Sequence, residues 1–184
     1  MSPTKALKIN RAHCFEGALI AALALEKQGY KPLLLDLKTT EDKDVDHVVT
    51  LFRERCLPAG RQGYWGAISK TNHAVLRYRE PIYKTIRELA LSYFHEYFLS
   101  NGEKTLRSYS KPFDLSKIKI DWRNSEKDLF KLVEMLDKSP HIKIISNKQI
   151  KNLRRADLIE RKAGEVVNEL PSKSRSFESR RKRG

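Results

Sequence analysis

From Cys14 to Leu25 the chain reads CFEGALIAALAL, with Glu16 as its one charge. A run that is apolar on nearly every face predicts a helix buried in the middle of a domain. Gly29 predicts its stop, since glycine takes the left-handed conformation that ends helices. Pro32 then opens PLLLDL, a short apolar run that suits an interior strand, and TTEDKDVD is a polar connection. DHVVTLFRE predicts the next strand, with β-branched Val48, Val49 and Thr50 in its body. CLPAGRQG carries Pro58, Gly60 and Gly63 and predicts a turn or inserted loop, after which YWGAIS returns as the second arm of an antiparallel hairpin. One buried helix followed by three strands predicts an α+β class, with the helix packed on an antiparallel sheet.

The clearest amphipathic pattern follows Pro81. Ile82, Ile86, Leu89, Ala90, Tyr93, Phe94, Tyr97 and Phe98 recur at steps of three and four, and Asn101-Gly102 closes the pattern. This predicts a helix from Pro81 to the end of that run. Residues 103 to 119 read as irregular. A further helix is expected after Asn124-Ser125, burying Leu129, Leu132, Val133 and Leu136. Pro140 ends it, HIKII reads as a short strand, and residues 147 to 169 as a basic helix. The organisation expected is a domain over residues 1–115, a helical extension over 116–170 and a basic disordered tail over 171–184.

Composition narrows the class. A chain of 184 residues with 40% hydrophobic content can bury one core of ordinary size. No run of about eighteen uncharged apolar residues is present, so no membrane span is expected. The opening MSPTKALKINRAHC lacks a secretory pattern, and two cysteines do not make a disulfide scaffold. A reducing, cytoplasmic setting is expected. The net charge is +14, and PSKSRSFESRRKRG alone carries six basic side chains against one acidic, leaving +9 for residues 1–170. Such a tail reads as a solvated terminus or as an arm for nucleic acid. No P-loop, dinucleotide fingerprint or zinc-ligand set occurs, so no nucleotide or metal cofactor is expected.

The chemistry centres on Cys14. At the start of a helix its thiol lies beside unpaired backbone N–H groups, whose field favours a thiolate. A nucleophile also needs a base and a group to orient that base. His47 opens the strand expected beside the helix, whereas His13 diverges as the helix turns. Cys14 alone also reads as a small buried hydrophobe, and His47 alone as a capping or surface residue. Cys56 reads as an incidental thiol, His95-Glu96 as surface, and the aromatics from Tyr93 to Phe98 as core.

Taken together, RAHCFEGALIAALALEKQGYKPLLLDL, DHVVTLF and WGAISKTNHAVLRYREPIYKTIRELALSYFHEYF resemble the transglutaminase-like domains of the papain-like cysteine superfamily, in an uncharacterised bacterial group. The resemblance covers about residues 10 to 115. It implies a cysteine at the start of a buried helix, a histidine in a following strand, and an acid on the next. On this sequence it places Cys14 as nucleophile and His47 as general base. Where the acid would stand the chain has Ser69, with Asn72 three residues on. Asn10 and the Cys14 backbone N–H are the oxyanion candidates, and Trp65, Lys70 and Arg77 the substrate-binding candidates. The implied reaction is cysteine-dependent acyl transfer or hydrolysis of an amide in a protein or peptide. The alternative is an inactive module of the same fold that binds anionic partners through its basic surface.

Overall fold

The structure, a computed structural model, describes residues 1–41, 43–54, 63–71 and 73–164. Helix α1 (Pro3–Ile9) begins at Ser2, whose hydroxyl accepts the Lys5 N–H at 3.3 Å. Helix α2 (Cys14–Lys27) ends before Gly29, which takes φ 85° as the pattern requires. Strands β1 (Leu33–Lys38), β2 (His47–Arg53), β3 (Trp65–Ile68) and β4 (Tyr78–Tyr83) follow. Helix α3 (Ile86–Ser92), strands β5 (Ser108–Ser110) and β6 (Phe113–Asp114), helix α4 (Phe130–Asp137), strand β7 (His141–Lys143) and helices α5 (Asn147–Lys151) and α6 (Leu158–Gly164) complete the described chain.

The seven strands form one open antiparallel sheet in the order β4-β3-β2-β1-β5-β7, with β6 also paired to β1. Alternation along β1 and β2 sorts the side chains onto two faces. Leu34 and Val48 meet Phe15, Ala18, Leu19 and Ala22 of α2, together with Trp122, Leu132 and Leu136. Leu35, Leu37, Val49 and Leu51 meet Leu89, Ala90, Tyr93, Phe94 and Tyr97 on the other side. Both faces of the central strands are thus covered, which is why PLLLDL reads as continuous apolar sequence instead of alternating. Thr50 ties α2 to the sheet, because its buried hydroxyl donates to the Ala18 carbonyl at 2.5 Å.

Several expectations change. Helix α2 is not buried all round: Ala24 is exposed and Ile20, Ala21 and Leu23 are half-buried. The helix expected from Pro81 starts only at Ile86, where Thr85 caps it, and Ile82 is 65% exposed. Pro81 lies instead in β4 at the sheet's edge, the position in a sheet that tolerates proline. Residues 103 to 119 are not irregular, since they supply β5 and β6. The helix expected after Ser125 begins at Phe130, and Val133 is 41% exposed while Leu129, Leu132 and Leu136 are buried. The basic helix expected over 147–169 is interrupted, with α5 and α6 separated by residues 152–157. The turn holding Cys56 and the tail over 171–184 lie outside the described residues. Residues 116–164 pack on the same core through Trp122 and add β7 to the sheet. Among the described residues no helix is long and apolar enough to cross a membrane.

Candidate functional site

Cys14 is the first residue of α2, and the chain enters that helix in a fixed geometry. The His13 N–H donates to Glu16 Oε2 at 3.0 Å, and the Gly17 N–H donates to the His13 carbonyl at 2.9 Å. Fourteen residues of aligned peptide dipoles therefore end at a half-buried thiol. Gly17, one turn on, lets α2 approach Lys70, because a Cβ there would run into the Lys70 Cβ and Cγ.

His47 opens β2 and is 5% exposed. By register its ring lies on the face of Val49 and Leu51, 6.5 Å from the Tyr97 ring, whereas α2 packs on the opposite face. Cys14 and His47 nevertheless line one cavity of about 400 Å3. His73, Tyr97, Asp44 and Asp46 share that lining, and Arg161 and Gly164 reach it from α6. The Tyr97 hydroxyl is used to hold the corner together, donating to the Val45 carbonyl at 2.7 Å.

The electrostatics follow from burial. Desolvation, and secondarily the charge of His73, push His47 down to about 4, so its ring is neutral at ordinary pH. Its Nε2 is sealed from solvent and has no hydrogen-bond partner among the described residues. A neutral imidazole can take a proton, but an unpartnered ring nitrogen leaves its tautomer unfixed.

The other expected site residues lie elsewhere. The Ser69 hydroxyl donates to the Leu76 carbonyl at 2.6 Å and so closes the turn after β3 instead of orienting His47. Asn72 lies outside the described residues. Asn10 is the left-handed cap of α1 at φ 53°, exposed and not on the cavity wall. Trp65 sits in β3 with the Arg53 guanidinium 5.0 Å from its ring. Arg77 Nε donates to the Thr71 carbonyl at 3.0 Å, and Lys70 packs over Gly17. None of the three substrate-binding candidates lines the cavity. Glu96, read as surface, does line it and pairs with Arg79 at 2.5 Å.

Sequence reasoning did not find the acidic cluster that meets the cavity wall at Asp46. Carboxylate oxygens of Asp36, Asp46 and Asp137 lie within 4.8 Å of one another, the one such group among the described residues close enough to hold a cation. Their present partners are protein groups. Lys38 Nζ is 2.6 Å from Asp137, and Thr39 donates its N–H and hydroxyl to Asp46 at 2.8 and 3.1 Å. His141 Nδ1 donates to the Ser139 carbonyl at 2.6 Å, so the 3.1 Å contact of its Nε2 with Asp36 requires one proton held by the pair. Burial first, and then the charge of Asp46, push Asp36 up to about 6 against the pull of His141 and Lys38.

No family model matches the chain, and a search of curated proteins finds no significant match.

Proposed function

We propose that the cavity is the site of cysteine-dependent acyl transfer or amide hydrolysis, built on a transglutaminase-like core. The observation that carries this reading is one cavity lined both by a thiol at a helix N-terminus and by a buried, neutral imidazole. Cys14 sulfur attacks the carbonyl carbon of an amide or ester, and the thiol proton passes to His47. Collapse of the tetrahedral adduct breaks the bond to the leaving group, which takes that proton. The resulting thioester then passes its acyl group to water or to an amine.

The test is acylation by p-nitrophenyl acetate, read by peptide mass spectrometry. The full chain is expected to carry an acetyl group on Cys14, slowed at least about tenfold in His47→Gln, in line with general-base contributions. Acetylation scattered over lysines, with none on Cys14, would remove the reading.

A second reading is favoured by His47 Nε2 having no partner among the described residues and by Ser69 being committed to Leu76. In it the fold is kept without catalysis, and the excess of +14 serves an anionic partner such as nucleic acid. Retention on duplex DNA would then fall steeply with salt, while Cys14 stays unacylated.

A further inference from the structure

Helix α6 is an unusual wall for a cavity. None of its residues is buried, and Leu158 and Ile159 are 57% and 78% exposed. Its C-terminal end nevertheless helps to enclose the space that Cys14 and His47 share. Among the described residues, three contacts hold that end down. His73 Nδ1 donates to the Gly164 carbonyl at 3.0 Å, and Arg161 Nη1 donates to the Ser100 carbonyl at 3.1 Å. Gly164 lies so close to the Phe98 ring that an added Cβ would sit 3.0 and 3.1 Å from two ring carbons.

One feature of the docked state opposes these contacts. Arg161 Nε is buried with no hydrogen-bond partner among the described residues, and an unpaired donor on a charged group penalises the conformation that seals it. A helix with almost no buried apolar surface, whose cavity end is held among the described residues by two hydrogen bonds and a ring contact, opens far more readily than the core. The Gly164 carbonyl, held by an imidazole at this cavity, is also the kind of group that an acyl-transfer site receives from a substrate.

We infer that α6 is a self-inhibitory strap: docked, it restricts access to Cys14, and lifted, it admits an acyl substrate. The inference rests on the acyl-transfer reading of the cavity. It makes the apparent reactivity of Cys14 the product of an intrinsic rate and the fraction of molecules with the strap raised.

The experiment compares iodoacetamide alkylation of Cys14 in the full chain, in Arg161→Ala and in Gly164→Val, with Cys56 as internal reference. Valine at 164 drives a side chain into Phe98, and alanine at 161 removes the bond to Ser100. Each variant is expected to label Cys14 about tenfold faster than the native chain, with Cys56 unchanged and the melting temperature preserved. Cys14 labelling that depends on His47 but is unaffected by either variant would overturn the strap and leave the site reading standing. Labelling that is slow and independent of His47 in every chain would overturn both. A large fall in melting temperature in both variants would make α6 a structural element, and would also overturn the strap.

Discussion

At the scale of single residues, His47 and Asp36 pull stability in opposite directions with pH. His47 is held at about 4 against an ordinary value of 6.5, so the unfolded chain binds its proton first as pH falls. The stability it contributes is present above about 6.5 and is lost as pH falls through about 4, on the order of 3 kcal/mol in all. Asp36 is held at about 6 against 3.8, so its contribution is full below the ordinary carboxylate value and is lost as pH rises through about 6. The native melting temperature is therefore expected to vary less between pH 4.5 and 6.5 than that of either single variant. Asp36→Asn should melt higher at pH 6.5 than at 4.5, and His47→Gln should show the reverse. Three parallel curves by differential scanning calorimetry would contradict both assignments. A tighter packing prediction concerns Gly17, where any side chain meets Lys70. Gly17→Ala is expected to cost about 1–3 kcal/mol in a urea melt, the usual cost of overpacking.

At the scale of elements, legibility depended on how much of each segment's fate was local. β1, β2 and α2 could be read because apolar runs and a glycine stop act within a few residues. The helix after Pro81 was misplaced because proline and a four-residue apolar step suit a helix start as well as an edge strand. What decides between them is the neighbouring β3, which only the fold supplies. The true start is marked by a capping box: Thr85 Oγ1 accepts the Glu88 N–H at 3.1 Å, and Glu88 Oε2 accepts the Thr85 N–H at 3.3 Å. Thr85→Ala is therefore expected to lower stability by about 1 kcal/mol, while alanine at the exposed Ile82 changes it little. Equal effects at the two positions in chemical denaturation would contradict that boundary. β5 and β6 escaped notice for another reason. They are three and two residues long, and Ser108, Ser110 and Pro112 hide a strand whose pairing comes entirely from β1 and β7.

At the scale of the molecule, the cavity is assembled from segments that are far apart in the chain. Cys14 and His47 could be picked out because a nucleophile at a helix start and a histidine at a strand start each carry a local signal. His73, Tyr97, Arg161 and Gly164 carry none, since what joins them to Cys14 is tertiary closure around one cavity. The same closure explains why Trp65, Lys70 and Arg77 looked near the site in sequence and are not on its wall. It also puts the thiol and the imidazole, which belong to opposite faces of one sheet, in a single space. Whether that space works as a unit is read most directly from Cys14 alkylation by iodoacetamide at pH 6 to 7, in the native chain and in His47→Gln. The account predicts that Cys14 outpaces Cys56 in the native chain and loses that advantage in the variant. Equal, slow labelling of both thiols in both chains would contradict it.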